Sequence, residues 1–287
     1  MSVELLLVSV LYGLTLASTL ILIASGLSLI FGIVGVVNFA HGSFCMLGAY
    51  VGYSVVAATG SFWLALLAAP VAVVVVAVVI ERLALRPLYR LGHLYQLFLT
   101  FALSLVVSNL VLWIWGGDNL SIPKPAYLSG FVMIADITYP RFRLFVLLFS
   151  GALALALWFV VARTTWGAVL RAGLHDIELV EAFGIDTERL VMTVFALAAA
   201  LAAVAGVVVG AMRNVNPEMD LDLINSALLV VVIGGLGSFR GAVAGSLVLG
   251  FADAFGAQMW PGLAKFTPWI VMVAVLLWRP EGLVQDA

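Results

Sequence analysis

Charge is the scarcest property of this sequence. Asp, Glu, Lys and Arg make up 10% of its 287 residues, against about 25% in a typical soluble protein. With 64% apolar residues, a globule of this size could not hide its side chains and still present a wetted surface. A soluble enzyme and a disordered chain are both excluded. The formal net charge of −2 supplies no basic field, so nucleic acid is not expected as a partner. Cysteine is nearly absent too. Cys45 stands alone, which rules out an intrachain disulfide framework and a cysteine-based metal cluster. There is no GxxxxGK[ST] phosphate loop, no HExxH pair and no GxSxG nucleophile turn. The chain is therefore expected to bind no ATP by that loop, to hold no metal and to carry no catalytic residue.

What is present is long uncharged sequence. No Asp, Glu, Lys or Arg occurs from Leu5 through Ile80. A spanning helix needs about 20 apolar residues, so this stretch has room for roughly three passes. Further uncharged runs follow at Leu94–Gly117, Leu144–Ala162, Leu190–Met212 and Leu223–Phe239. Two more are Gly241–Pro261, with Asp253 inside it, and Phe266–Trp278. Eight or nine membrane segments are expected, with Asn38–Ala58 and Leu223–Gly237 deciding the number. Runs such as PVAVVVVAVVI (Pro70–Ile80) are apolar on every side, which suits helices and not the period-two pattern of a membrane barrel. The fold class is thus all-α and polytopic, one transmembrane domain over residues 1–287 with broken or re-entrant helices. Placing Glu81–His93 and Arg163–Arg189 in the cytoplasm puts Arg240 and Arg279 there too, with eight of the thirteen Lys and Arg. That is a modest positive-inside bias, with a cytoplasmic C-terminus. The start, MSVELLLV, lacks the basic region of a cleavable signal, so the first helix is expected to direct insertion.

Several segments can carry function. GVVNFAHG (Gly35–Gly42) places two glycines, an Asn and a His inside apolar sequence. It reads either as a helix break lining a path, with Asn38, His41 and Ser43 offering hydrogen bonds, or as a turn at the membrane face. GGLGSFRG (Gly234–Gly241) echoes it, with Gly35 set against Gly234 and Gly42 against Gly241, as an internal repeat would. Gly48–Gly52, Gly206–Gly210 and Gly241–Gly245 have the spacing that lets helices approach closely. Thr164–Arg189 is the most polar stretch and helical in pattern: Leu174, Ile177, Val180 and Phe183 follow Leu170 on roughly one face. Its net acidic character favours a protein partner over a membrane surface, the alternative being a solvated connector. Within the apolar runs Asn109, Asp253 and Gln258 are the polar set. His41 and Ser43 are the one candidate reactive pair for an intramembrane enzyme, and two residues on a helix place them about 200° apart.

The stretch GLSLIFGIVGVVNFAHGSFCMLGAY (Gly26–Tyr50) resembles the signature of the permease subunits of branched-chain amino-acid ABC importers, whose relatives carry urea and amides. ERLALRPLYR (Glu81–Arg90), LTFALSLVVSNLVLWIWG (Leu99–Gly116) and VVVIGGLGSFRGAVAGSLVLG (Val230–Gly250) agree in order, and the shorter of the two permease types fits. RAGLHDIELVEAFGID (Arg171–Asp186) resembles that family's ATPase-docking loop, matching at Arg171, Ala172, Asp176, Ala182, Gly184 and Ile185. The resemblance implies a permease domain with a cytoplasmic coupling loop at 164–189, in which Glu181 also takes part. It implies a bacterial inner-membrane complex with a second permease, two ATPases that bind the ATP and an extracytoplasmic solute-binding protein. This chain would bind no cofactor itself. Asn38, His41, Ser43 and Asn109 would line the translocation path. Arg213, Glu218, Asp220 and Asp222 would meet the binding protein. The rival from another class is a stand-alone ion-coupled secondary transporter, with Asp253 as its ion site.

Overall fold

The computed structural model describes residues 3–89, 91–134 and 137–284. Arg90 of the basic linker and positions 135–136 of the Asp118–Arg143 loop lie outside the described residues. The chain is a bundle of helices: α1 (Val3–Val34), α2 (Ala40–Thr59), α3 (Phe62–Ile80), α4 (His93–Trp115), α5 (Arg141–Arg163), α6 (Thr165–His175), α7 (Ile177–Ala182), α8 (Thr187–Met212), α9 (Met219–Gly234), α10 (Phe239–Met259) and α11 (Thr267–Trp278). Among the described residues, eight stretches are long and apolar enough to cross a membrane. By length and composition the candidate spans therefore number eight. The segment after Asn38 contains the full-length α2, whereas α9, at 16 residues, reaches only about 24 Å at 1.5 Å per residue. The spans contain no strand. A short antiparallel hairpin, β1 (Phe131–Ile134) with β2 (Ile137–Pro140), lies before α5 and packs on α1 through Tyr139.

Short polar side chains mark where helices begin. Ser61, Thr164, Asp176, Asp186 and Ser238 each accept a hydrogen bond from the backbone N–H three residues on, at 2.8–3.3 Å. They satisfy donors that the first turn leaves free.

Helices α1, α2, α8 and α10 make the centre, and α4, α5 and α11 lie outside with broad apolar faces exposed. In a bilayer the hydrophobic effect does not drive helices together, so small residues and close van der Waals packing must. All three glycine pairs singled out by spacing meet a neighbouring helix. A methyl group on Gly48 would press on Ala203, one on Gly52 on Val207, and one on Gly206 would fall on the Cys45 carbonyl. Gly241 and Gly245 back onto Gly234 and Val230.

The two echoing segments are both helix–break–helix junctions. After α1 the chain turns at Gly35 (φ 73°), and α9 gives way to α10 through Gly235 (φ 112°) and Gly237 (φ 81°), backbone that only glycine adopts at ease. The junctions abut: Ser28 donates to the Ser238 carbonyl at 3.0 Å, and Gly32 packs against Gly237. The tail folds back here as well. The N–H groups of Leu283 and Val284 donate to the carbonyls of Ile233 and Gly234 at 2.9 and 3.0 Å.

The basic loops share one end of the bundle. Arg86 pairs with Glu188, and Arg171, His175, Arg240 and Glu281 line one cavity of about 700 Å³. At the other end Lys124 stands over the Phe142 ring and Arg143 over Tyr12.

Candidate functional site

The break after α1 is covered by protein. Asn38, His41 and Ser43 are all buried. The Asn38 carbonyl oxygen accepts from the Ala40 N–H at 3.1 Å and starts α2. His41 Nε2 lies 2.9 Å from the Ile23 carbonyl of α1. His41 and Ser43 bond to different partners, so the reactive pair an enzyme would need is not assembled.

Ser43 instead points at Asp220. The Asp220 carboxylate accepts from Ser108 of α4 at 2.6 Å and from Ser43 of α2 at 3.4 Å through Oδ2, and from its neighbour's N–H at 2.8 Å through Oδ1. It is 3% exposed, and no cation among the described residues pairs with it. This corrects the expectation that Asp220 lies on an exposed docking loop. α9 begins at Met219, and its first turn already dips into the bundle against the bare backbone of Gly42. Carboxylates are favoured at that end of a helix. Arg213, Glu218 and Asp222 are exposed. Ser108 was not foreseen; one serine in an apolar helix carries no sequence signal.

Asn109 is not brought to this cluster. It is exposed on the outer face of α4, where its amide donates to the Leu105 carbonyl at 2.7 Å. Asp253 lies half-buried on α10 and Gln258 is exposed near its end.

The segment 164–189 is two helices and not one. Asp176 interrupts it by capping α7, donated to by the Leu179 N–H at 2.9 Å. Leu170 and Val180 are buried as the apolar face requires. Phe183, expected on that face, is 78% exposed, because the chain leaves helical geometry after Ala182 and turns at Gly184 (φ 78°). Arg171, Ala172, Asp176, Glu181, Gly184 and Ile185 are all exposed, and Leu179, Phe183 and Ile185 add apolar surface among them. Arg171 also donates to the Val161 carbonyl of α5.

A buried ion pair sits at the same end. Glu81, fully buried, takes a two-pronged bond from Arg86 at 3.0 and 3.1 Å, and the other side of the guanidinium reaches Glu188 of α8 at 3.0 Å. Residues 81–85 form a π-turn in which the Arg86 N–H bonds the Glu81 carbonyl. That widening brings residues five apart together, where an α-helix would turn them about 140° away. This cluster was invisible to a reading at helical spacing. Burial, and then the charge of Glu81, push the Tyr89 phenol above its ordinary range, so it stays a hydroxyl.

A helical bundle with eight candidate spans, a buried helix break, a buried carboxylate held by hydroxyls and an exposed two-helix loop defines a multi-pass membrane transport protein. The chain belongs to the family described as branched-chain amino acid transport system permease components, whose pattern it matches over residues 9–276. It is 32% identical over 292 residues to the high-affinity branched-chain amino acid transport system permease protein LivH of Escherichia coli K12, covering 95% of this chain and 93% of that one. It is 33% identical over 290 residues to BraD of Pseudomonas aeruginosa, with the same coverage. LivM of Escherichia coli K12 is 27% identical over 304 residues, and only 68% of its length is covered. The shorter permease type therefore fits, and the secondary-transporter alternative does not. No solved structure matches the chain at a significant level.

Proposed function

We propose that this chain is one of two permease subunits of an ATP-driven importer in the bacterial inner membrane, and that it carries branched-chain or related small amino acids by alternating access. The observation that carries the energy-coupling part is the exposed loop of α6 and α7. It presents Leu179, Phe183 and Ile185 among the acidic side chains Asp176 and Glu181, the chemistry of a short helix seated in a groove of a partner protein. A cytoplasmic ATPase is that partner, and the ATP is bound and hydrolysed there. The chain forms a single permease domain, and residues 164–189 are its coupling loop.

Asn38, His41 and Ser43 form the polar side of the translocation path, and Asp220 and Ser108 join them. Asn109 belongs to the face that meets the second permease. Arg213, Glu218 and Asp222 are the charges offered to an extracytoplasmic solute-binding protein. When the ATPases close, the loop moves, and the rigid helices redistribute around the break after α1.

The test is gentle purification from the native membrane followed by mass spectrometry and reconstitution. A second permease, ATPase chains and ATP-dependent leucine uptake are expected. A chain that comes out alone, or uptake that follows an ion gradient and ignores ATP, would overturn the reading.

A further inference from the structure

Three buried polar atoms face a cavity far smaller than any transported solute. The cavity has a volume of about 10 Å³ and is lined by Ile30, Val34, Asn38, Tyr89, Gln96 and Thr100 among others. Asn38 Nδ2, the Tyr89 hydroxyl and Gln96 Oε1 have no hydrogen-bond partner among the described residues. Both amides have their orientation fixed by their other end. Asn38 Oδ1 accepts from the Ala40 N–H, which leaves its NH₂ free. Gln96 Nε2 donates to the Leu88 carbonyl at 3.4 Å, which leaves its oxygen free. The unmet set is therefore one donor and one acceptor, beside a hydroxyl that has the Glu81 carboxylate next to it and can accept.

The geometry points to a single bound water in this cavity. About 10–15 Å³ accommodates one water, which needs two to four polar partners. A water accepts from Asn38 Nδ2, donates to Gln96 Oε1 and shares its remaining bond with the Tyr89 hydroxyl. A metal cation is the wrong occupant, since the Asn38 N–H bonds would point at it. A solute fragment is too large.

The water joins the break after α1 to the turn after α3 and the first turn of α4, two segments that the Gln96–Leu88 bond already links to each other. It makes the break a water-mediated joint. Asn38 is consequently a positioning residue at this joint. None of this depends on which solute is carried.

Cryo-electron microscopy of the purified transporter at about 2 Å tests it. A density peak is expected within hydrogen-bond distance of at least two of the three atoms. The same structure of Gln96→Leu is expected to lose the peak, and Tyr89→Phe to retain it with one bond fewer. Direct bonds among the three side chains with no peak between them would overturn the proposal. So would a peak retained in Gln96→Leu with Asn38 pointing elsewhere. The unsubstituted protein decides the matter by itself if either variant fails to fold.

Discussion

Asp220 is where a single residue departs most from its sequence context. It sits in a polar stretch, Arg213–Asp222, that reads as a surface loop, and nothing in the one-dimensional pattern tells it from Glu218 or Asp222. The difference is made by Gly42, whose missing side chain admits the first turn of α9, and by two serines from distant helices. A hydrogen bond to a charged group contributes about 1.5–3 kcal/mol. Ser108→Ala is therefore expected to lower the stability of the detergent-solubilised chain by about that much, and Ser43→Ala, whose bond is longer, by less. Thermal unfolding of the two variants side by side checks the order. Asn38, His41 and Ser43 were legible as polar groups out of place in an apolar run. Their partners were not, because Ile23 and Asp220 are remote in sequence.

At the scale of an element, the π-turn at 81–85 converts a pair five residues apart into a two-pronged ion pair. The two halves of the cluster differ in burial, and that ranks their substitutions. Arg86→Leu strands the Glu81 carboxylate without a partner, a loss of about 3–5 kcal/mol. Glu188→Gln removes an exposed contact worth about 0.2–1 kcal/mol. Expression and unfolding midpoints of the pair should follow that order; equal losses would mean the buried half is not desolvated as the geometry implies. The coupling loop makes a second comparison. Its amphipathic residues were visible in the sequence, but the interruption at Asp176 was not, since a capping Asp and a mid-helix Asp look alike until the backbone is known. Leu179→Glu together with Phe183→Glu leaves the buried Leu170 and Val180 in place. The double variant is expected to insert normally yet to lose most ATPase co-purification and uptake, read by pull-down and transport. Uptake at the unsubstituted rate would remove the docking role.

For the whole molecule, the sequence was most informative where the physics is simplest. A bilayer core about 30 Å thick fixes the length of a span, so the number of runs came within one of the number of candidate spans. The uncertain segments were those in which length and polarity disagree: α2, polar but full length, and α9, apolar but short. The hairpin before α5 was not read because four-residue strands leave too brief a pattern. Topology can be checked with one reagent. Cys45 is fully buried, so the natural chain should not react with a membrane-impermeant maleimide. A cysteine placed at Ser129 should react from the extracytoplasmic side, and one at Phe183 only after the membrane is opened. Labelling of both from one side would mean that α5 does not cross.

The tail that folds back onto α9 has a practical meaning. The carbonyls of Ile233 and Gly234 are the ones a continuous helix would have satisfied from its own next turn, and the break takes that turn away. Leu283 and Val284 supply the missing donors from more than forty residues later. These two positions act as a splint set across a fracture. A truncation that removes them leaves two carbonyls without their protein donors, and a bulky fusion placed directly after them strains the same joint. A tag at the other terminus, or one separated by a flexible spacer, is expected to give the more active preparation when the two are compared for uptake at equal expression.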